Sequence, residues 1–60
     1  MQILDEVKEL SVELNLSIKD TMLEMLCQFY ESAGIEWEGI KGDFLSLSEE
    51  ELLYRLQEME

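Results

Sequence analysis

Residues 17–34 read as a helix marked at both ends, and its apolar arc is too wide for a helix that packs on one side only. Ser17 and Asp20 make an S-x-x-D start, in which the hydroxyl accepts from the N3 amide and the carboxylate favours the positive end of the helix dipole. Gly34 supplies the left-handed residue that stops a helix, and Ile35 stands where the accompanying hydrophobic contact is made. Ile18, Met22, Leu23, Met25, Leu26, Cys27, Phe29, Tyr30 and Ala33 then cover roughly 200° of helix 18–33, about twice the stripe of a surface helix. Such a helix has to be covered on two sides. Either the rest of the chain does this or a second copy supplies part of the cover.

Two further segments have helical spacing. Within 2–14, Ile3, Leu4, Val7, Leu10 and Leu14 fall on one side, Asp5, Glu6, Glu9 and Glu13 fall on the other, and Val12 is off the pattern. The alternation Leu10, Val12, Leu14, Leu16, Ile18 also fits a strand, but the Glu, Lys, Leu and Gln content favours the helix. At 48–59, Ser48 and Glu51 form a capping box, Leu47 and Leu52 a hydrophobic staple, and Leu52, Leu53, Leu56 and Met59 an apolar face from which Tyr54 points away. Glu51 and Arg55 are spaced for an i,i+4 ion pair worth about 0.2–0.5 kcal/mol.

The intervening stretch 35–47 holds Gly39 and Gly42 and is long for a helix connection. A packed loop or a short helical turn is expected there. The alternative is a short hairpin pairing 35–39 with 44–47 around Lys41-Gly42-Asp43, which is marginal unless helices cover it. The expected fold is therefore all-α, one small three-helix domain with helices near 2–14, 18–33 and 48–59 and an ordered connection 35–47.

Stability narrows the function. Below about 70–80 residues, core burial barely exceeds the conformational entropy it offsets, and this chain has 60 residues with 47% apolar content. A lone Cys27 forms no internal disulfide, and a chain without His builds no zinc cage. Association, with another protein or as a homodimer, is the remaining source of support. Cys27 sits among Leu26, Phe29 and Tyr30 and reads as a buried thiol in a reducing compartment. Asp5, Glu6 and Glu9 interrupt any secretory apolar run near the start, and no apolar stretch approaches a membrane span, so a cytoplasmic location is expected.

Charge and chemistry exclude more. A net charge of −11, spread over both halves of the chain, repels nucleic acid and anionic membranes, because binding either requires clustered Lys and Arg. With no His the chain lacks the commonest general base and the usual partner of a nucleophile, so no enzyme activity and no catalytic residue is expected. Glu6, Glu9 and Glu13 share a helix face, but neither calcium-loop spacing nor Glu-x-x-His accompanies them, and they read as a solvated face. No metal or cofactor is expected.

Binding is what remains. Trp37, framed by Glu36 and Glu38, is the side chain type most enriched at interface hot spots; its competing role is to close the core with Ile35, Ile40 and Phe44. Met22, Met25 and Phe29 on the wide arc, together with Tyr54, complete the candidate partner-binding set. The expected function is a non-catalytic regulator or inhibitor that associates stoichiometrically with a larger protein, as monomer or homodimer. Alternatives are an acidic mimic of nucleic acid in a partner's basic channel and a structural subunit of a larger complex. Small acidic inhibitors encoded by phages and prokaryotes offer an analogy.

Overall fold

The computed structural model describes residues 3–59 and contains four helices: α1 (Ile3–Leu14), α2 (Ile18–Ser32), α3 (Trp37–Leu45) and α4 (Glu49–Glu58). The all-α class stands, but the three-helix count does not. Residues expected as a loop, turn or hairpin form a nine-residue helix, and no strand occurs among the described residues. Gln2, placed at the start of the expected first helix, lies outside the described residues.

The ends of α2 follow from local chemistry. Ser17 is extended (φ −69°, ψ 164°) and its hydroxyl accepts from the Asp20 amide at 3.1 Å. At the other end Gly34 takes φ +85°, the Gly34 amide donates to the Glu31 carbonyl at 3.0 Å, and the Ile35 amide donates to the Tyr30 carbonyl at 2.9 Å. These two bonds are the complete Schellman pattern, which satisfies carbonyls that the helix end leaves free. The end of α1 uses the same device with asparagine: Asn15 has φ 58°, and the Leu16 amide donates to the Ser11 carbonyl at 3.0 Å. Ser48 opens α4 by accepting from the Glu51 amide at 3.3 Å.

Although Phe29 and Ala33 are left exposed, most of the wide arc of α2 is accounted for by its position. It packs against α1, α3 and α4 in turn, with α1 and α4 also in contact. Met22 and Leu26 are fully buried beside Val7 and Leu52, and Ile3, Leu23, Phe44 and Leu56 complete the core. All four helices contribute to it. A helix with two apolar sides buries both only by lying between other elements, so it serves as the centre.

Three details of the expected faces change. Ser11 is buried on α1 although it is polar, because its hydroxyl donates back to the Lys8 carbonyl at 2.7 Å, whereas Leu14 in the last turn is 42% exposed. Cys27 is half-buried rather than part of the core; one residue past Leu26, it is rotated by about 100° toward the polar edge of α2. Glu51 and Arg55 do not pair; among the described residues the ion pair present is Lys41 with Glu38 at 2.8 Å. Thr21, fully buried, donates to the Ser17 carbonyl at 2.8 Å, and no buried side-chain polar atom among the described residues lacks a partner.

Candidate functional site

Capping and packing together bring four of the five aromatic side chains into one cluster. The Schellman turn after α2 reverses the chain so that Trp37, the first residue of α3, comes back against Tyr30 in the last turns of α2. Trp37 and Phe44 lie two turns apart on α3, on one face, so both meet the same neighbour. Trp37 stacks on Phe44 (centroids 5.5 Å apart, planes 21° apart) and on Tyr30 (6.5 Å, 22°), while Tyr30 and Phe44 lie 5.7 Å apart. Phe29 meets Tyr30 edge to face at 5.6 Å and remains 48% exposed. Offset stacks and edge contacts of this kind add about 0.5–1.5 kcal/mol each beyond the area they bury.

The cluster opens to the surface between α2, α3 and α4. A groove of about 420 Å³ is lined there by Tyr30, Ile35, Ile40, Phe44 and Leu47, with Asp43 and Arg55 as its charged members. A neighbouring depression of about 270 Å³ shares Ile35 and is otherwise lined by Glu31, Gly34 and Glu36. Apolar floor and acidic surroundings therefore adjoin at one side chain.

The sequence-derived candidates divide between places. Trp37 is half-buried behind the groove and packs against the core, and Glu36 and Glu38 flank it at the exposed start of α3. Met22 is 1% exposed and is core, so it offers no surface to a partner. Met25 packs against the core on the α1 side, beside Glu6, Glu9, Leu10 and Glu13. Tyr54, 61% exposed, stands on the outer face of α4 among Glu50, Glu51, Arg55 and Glu58. The structure thus gathers Trp37, Glu36 and Phe29 near the aromatic cluster and leaves Met25 and Tyr54 on other faces.

Sequence reasoning did not pick out Tyr30, Ile40, Asp43 or Leu47 as one site. The signal for α3 was available, since Trp37, Ile40 and Phe44 have i, i+3, i+7 spacing, but Gly39 and Gly42 lowered the helical propensity that would have revealed it.

The chemistry of the described residues is spare. Partial burial, reinforced by the Glu31 carboxylate that its thiol meets at 3.5 Å and by Glu24 and Glu38 farther off, raises the Cys27 pKa above its ordinary value. A thiol held protonated in this way is a poor nucleophile at neutral pH. No group of three or more His, Cys, Asp or Glu among the described residues is arranged to hold a metal ion. No described helix is long and apolar enough to cross a membrane. No protein-family model matches the chain, and no curated protein or solved structure is significantly similar to it.

Proposed function

We propose that the chain is a non-catalytic binding protein, a regulator or inhibitor that associates stoichiometrically with a larger protein. The observation that carries this reading is the apolar groove of Tyr30, Ile35, Ile40, Phe44 and Leu47, which remains open to the surface beside a small core. Phe29 and Leu45, 48% and 50% exposed, add apolar area on α2 and α3. Covering such surface with a partner removes it from water and adds the stability that a small core lacks.

A second reading, imitation of nucleic-acid phosphates in a basic channel, draws on a different observation. Every described acidic residue except the partly buried Glu6 is exposed, and only Glu38 among them is paired with a base. Carboxylates left in water and unpaired are available to a Lys/Arg-lined groove.

Affinity capture with the tagged full chain from its native cell, repeated at about 50 and about 300 mM salt, separates the readings through the salt dependence of phosphate-like contacts. A partner retained at both salts supports the apolar reading. One lost at the higher salt supports mimicry. Absence of any partner at either salt refutes both. A structural subunit is distinguished next, because its partner fails to assemble when the chain is deleted.

A further inference from the structure

We infer that the groove between α2, α3 and α4 receives an amphipathic basic helix of the partner protein, with apolar side chains on the aromatic floor and Lys or Arg on its flanks. The inference rests on the binding reading above and specifies its site and the chemistry of its occupant. Three observations lead to it.

The first is the shape. A groove of about 420 Å³ between helices is the size of a few apolar side chains, and that is how a helix seats its i, i+3 and i+4 anchors. Strand addition, one way an extended peptide binds, needs a sheet edge, and the described residues contain no strand to extend.

The second is the charge. Asp43 lines the groove, and Glu31 and Glu36 line the depression that shares Ile35 with it, against one cation in the groove, Arg55. The whole chain carries −11. That field steers a basic segment toward the site and repels a second copy of this chain, which carries the same charge. The occupant is therefore a foreign basic helix rather than a symmetry mate.

The third is the rigidity of the floor. Tyr30 and Phe44 are held by mutual contact and by Trp37 stacked behind both, so little side-chain freedom is lost when the groove is filled. Trp37 on this account is a support and a spectroscopic reporter, and Ile35, 43% exposed at the junction of apolar and acidic surfaces, is the anchor that meets the partner.

The test titrates the full chain with a synthetic peptide of about 15 residues, long enough for marginal helicity, with Leu at i, i+3, i+4 and i+7 and Lys elsewhere. Binding is read by Trp37 fluorescence, the peptide having no Trp, and by amide shifts in two-dimensional NMR. Controls are a scrambled peptide of the same composition and one with Glu in place of Lys. Ile35→Ser and Asp43→Lys, both at exposed positions and checked by circular dichroism, are each expected to weaken binding about tenfold, while Val12→Ser on the 80% exposed side of α1 leaves it unchanged. Shifts confined to the groove and absent with both control peptides complete the expected result. Equal binding of the scrambled peptide, wild-type affinity in Ile35→Ser, or no binding of the Leu/Lys helix overturns the inference. So does a free chain that sediments as a dimer and becomes monomeric in Ile35→Ser. A native partner whose affinity ignores both substitutions overturns the groove while leaving the binding function standing; failure to capture any partner removes that function irrespective of the peptide result.

Discussion

Gly42 lies inside the nine-residue helix α3, and replacing it with alanine tests that helix and the groove it walls. Outside its chain neighbours and the backbone of its own helix, a Cβ placed on Gly42 meets no heavy atom within 4 Å, and the same holds for Gly39. Neither has the positive φ that distinguishes Gly34. Alanine therefore introduces no clash and no strain, and it reduces the entropy that the unfolded chain loses on folding. In a helix interior this difference amounts to about 0.8–1.0 kcal/mol, the expected gain for Gly42→Ala. Gly39 is in the first turn, where fewer helical bonds constrain the backbone, and the gain there is nearer the lower bound of about 0.5 kcal/mol. A domain of this size shifts by about 4–8 °C per kcal/mol, so the double substitution is expected to melt about 5–12 °C higher. Urea unfolding followed by far-ultraviolet circular dichroism and by Trp37 fluorescence measures the change, with the denaturant slope unaltered. The sign decides the matter. In a hairpin around Lys41-Gly42-Asp43, Gly42 would occupy a left-handed turn position, and alanine there would destabilise the protein. A lowered midpoint for Gly42→Ala would refute the helical assignment of 37–45 and with it the groove.

Other substitutions probe caps, core and thiol. Ser17→Ala and Ser48→Ala each remove the acceptor of a helix-start amide and are expected to cost about 1 kcal/mol by urea unfolding, and no measurable loss would show that the caps do not hold the helix starts. Leu26→Ala, at a fully buried position, is expected to cost about 2–5 kcal/mol against the roughly 3–5 kcal/mol that a core of this size supplies. Thermal melting followed by circular dichroism should then show a strongly lowered midpoint; a cooperative, wild-type melt would move the core elsewhere. Cys27, its pKa raised by partial burial and by Glu31, is expected to alkylate with iodoacetamide more slowly at pH 8 than a free thiol. Because a raised pKa means less thiolate at a given pH, Glu31→Gln should speed the reaction and move its pH midpoint downward, and an unchanged profile would remove Glu31 as a cause.

The starts of α2 and α4 and the stop at Gly34 were legible because each depends on residues within three to five positions of one another, a range over which sequence and geometry are nearly the same information. Asn15 carried an equally local signal, since asparagine is the usual alternative to glycine in the left-handed position, and it marks the end of α1. The burial of Ser11 was not legible. Its hydroxyl is satisfied inside its own helix, and apolar periodicity treats every serine as a surface residue.

The width of the apolar arc on α2 determined from the sequence alone that this helix would be covered on two sides, since apolar area is removed from water wherever the chain permits. Which elements cover it was decided only by the tertiary structure. Trp37 and Phe44 pack against Tyr30 across the Gly34 turn, and packing of this kind offsets the low helical propensity of a segment with two glycines. With α3 formed, Tyr30, Ile35, Ile40, Phe44 and Leu47, spread over eighteen positions of sequence (30 to 47), become one groove. No local pattern records such a juxtaposition, because it exists only after the chain has turned back at Gly34 and closed on its own central helix.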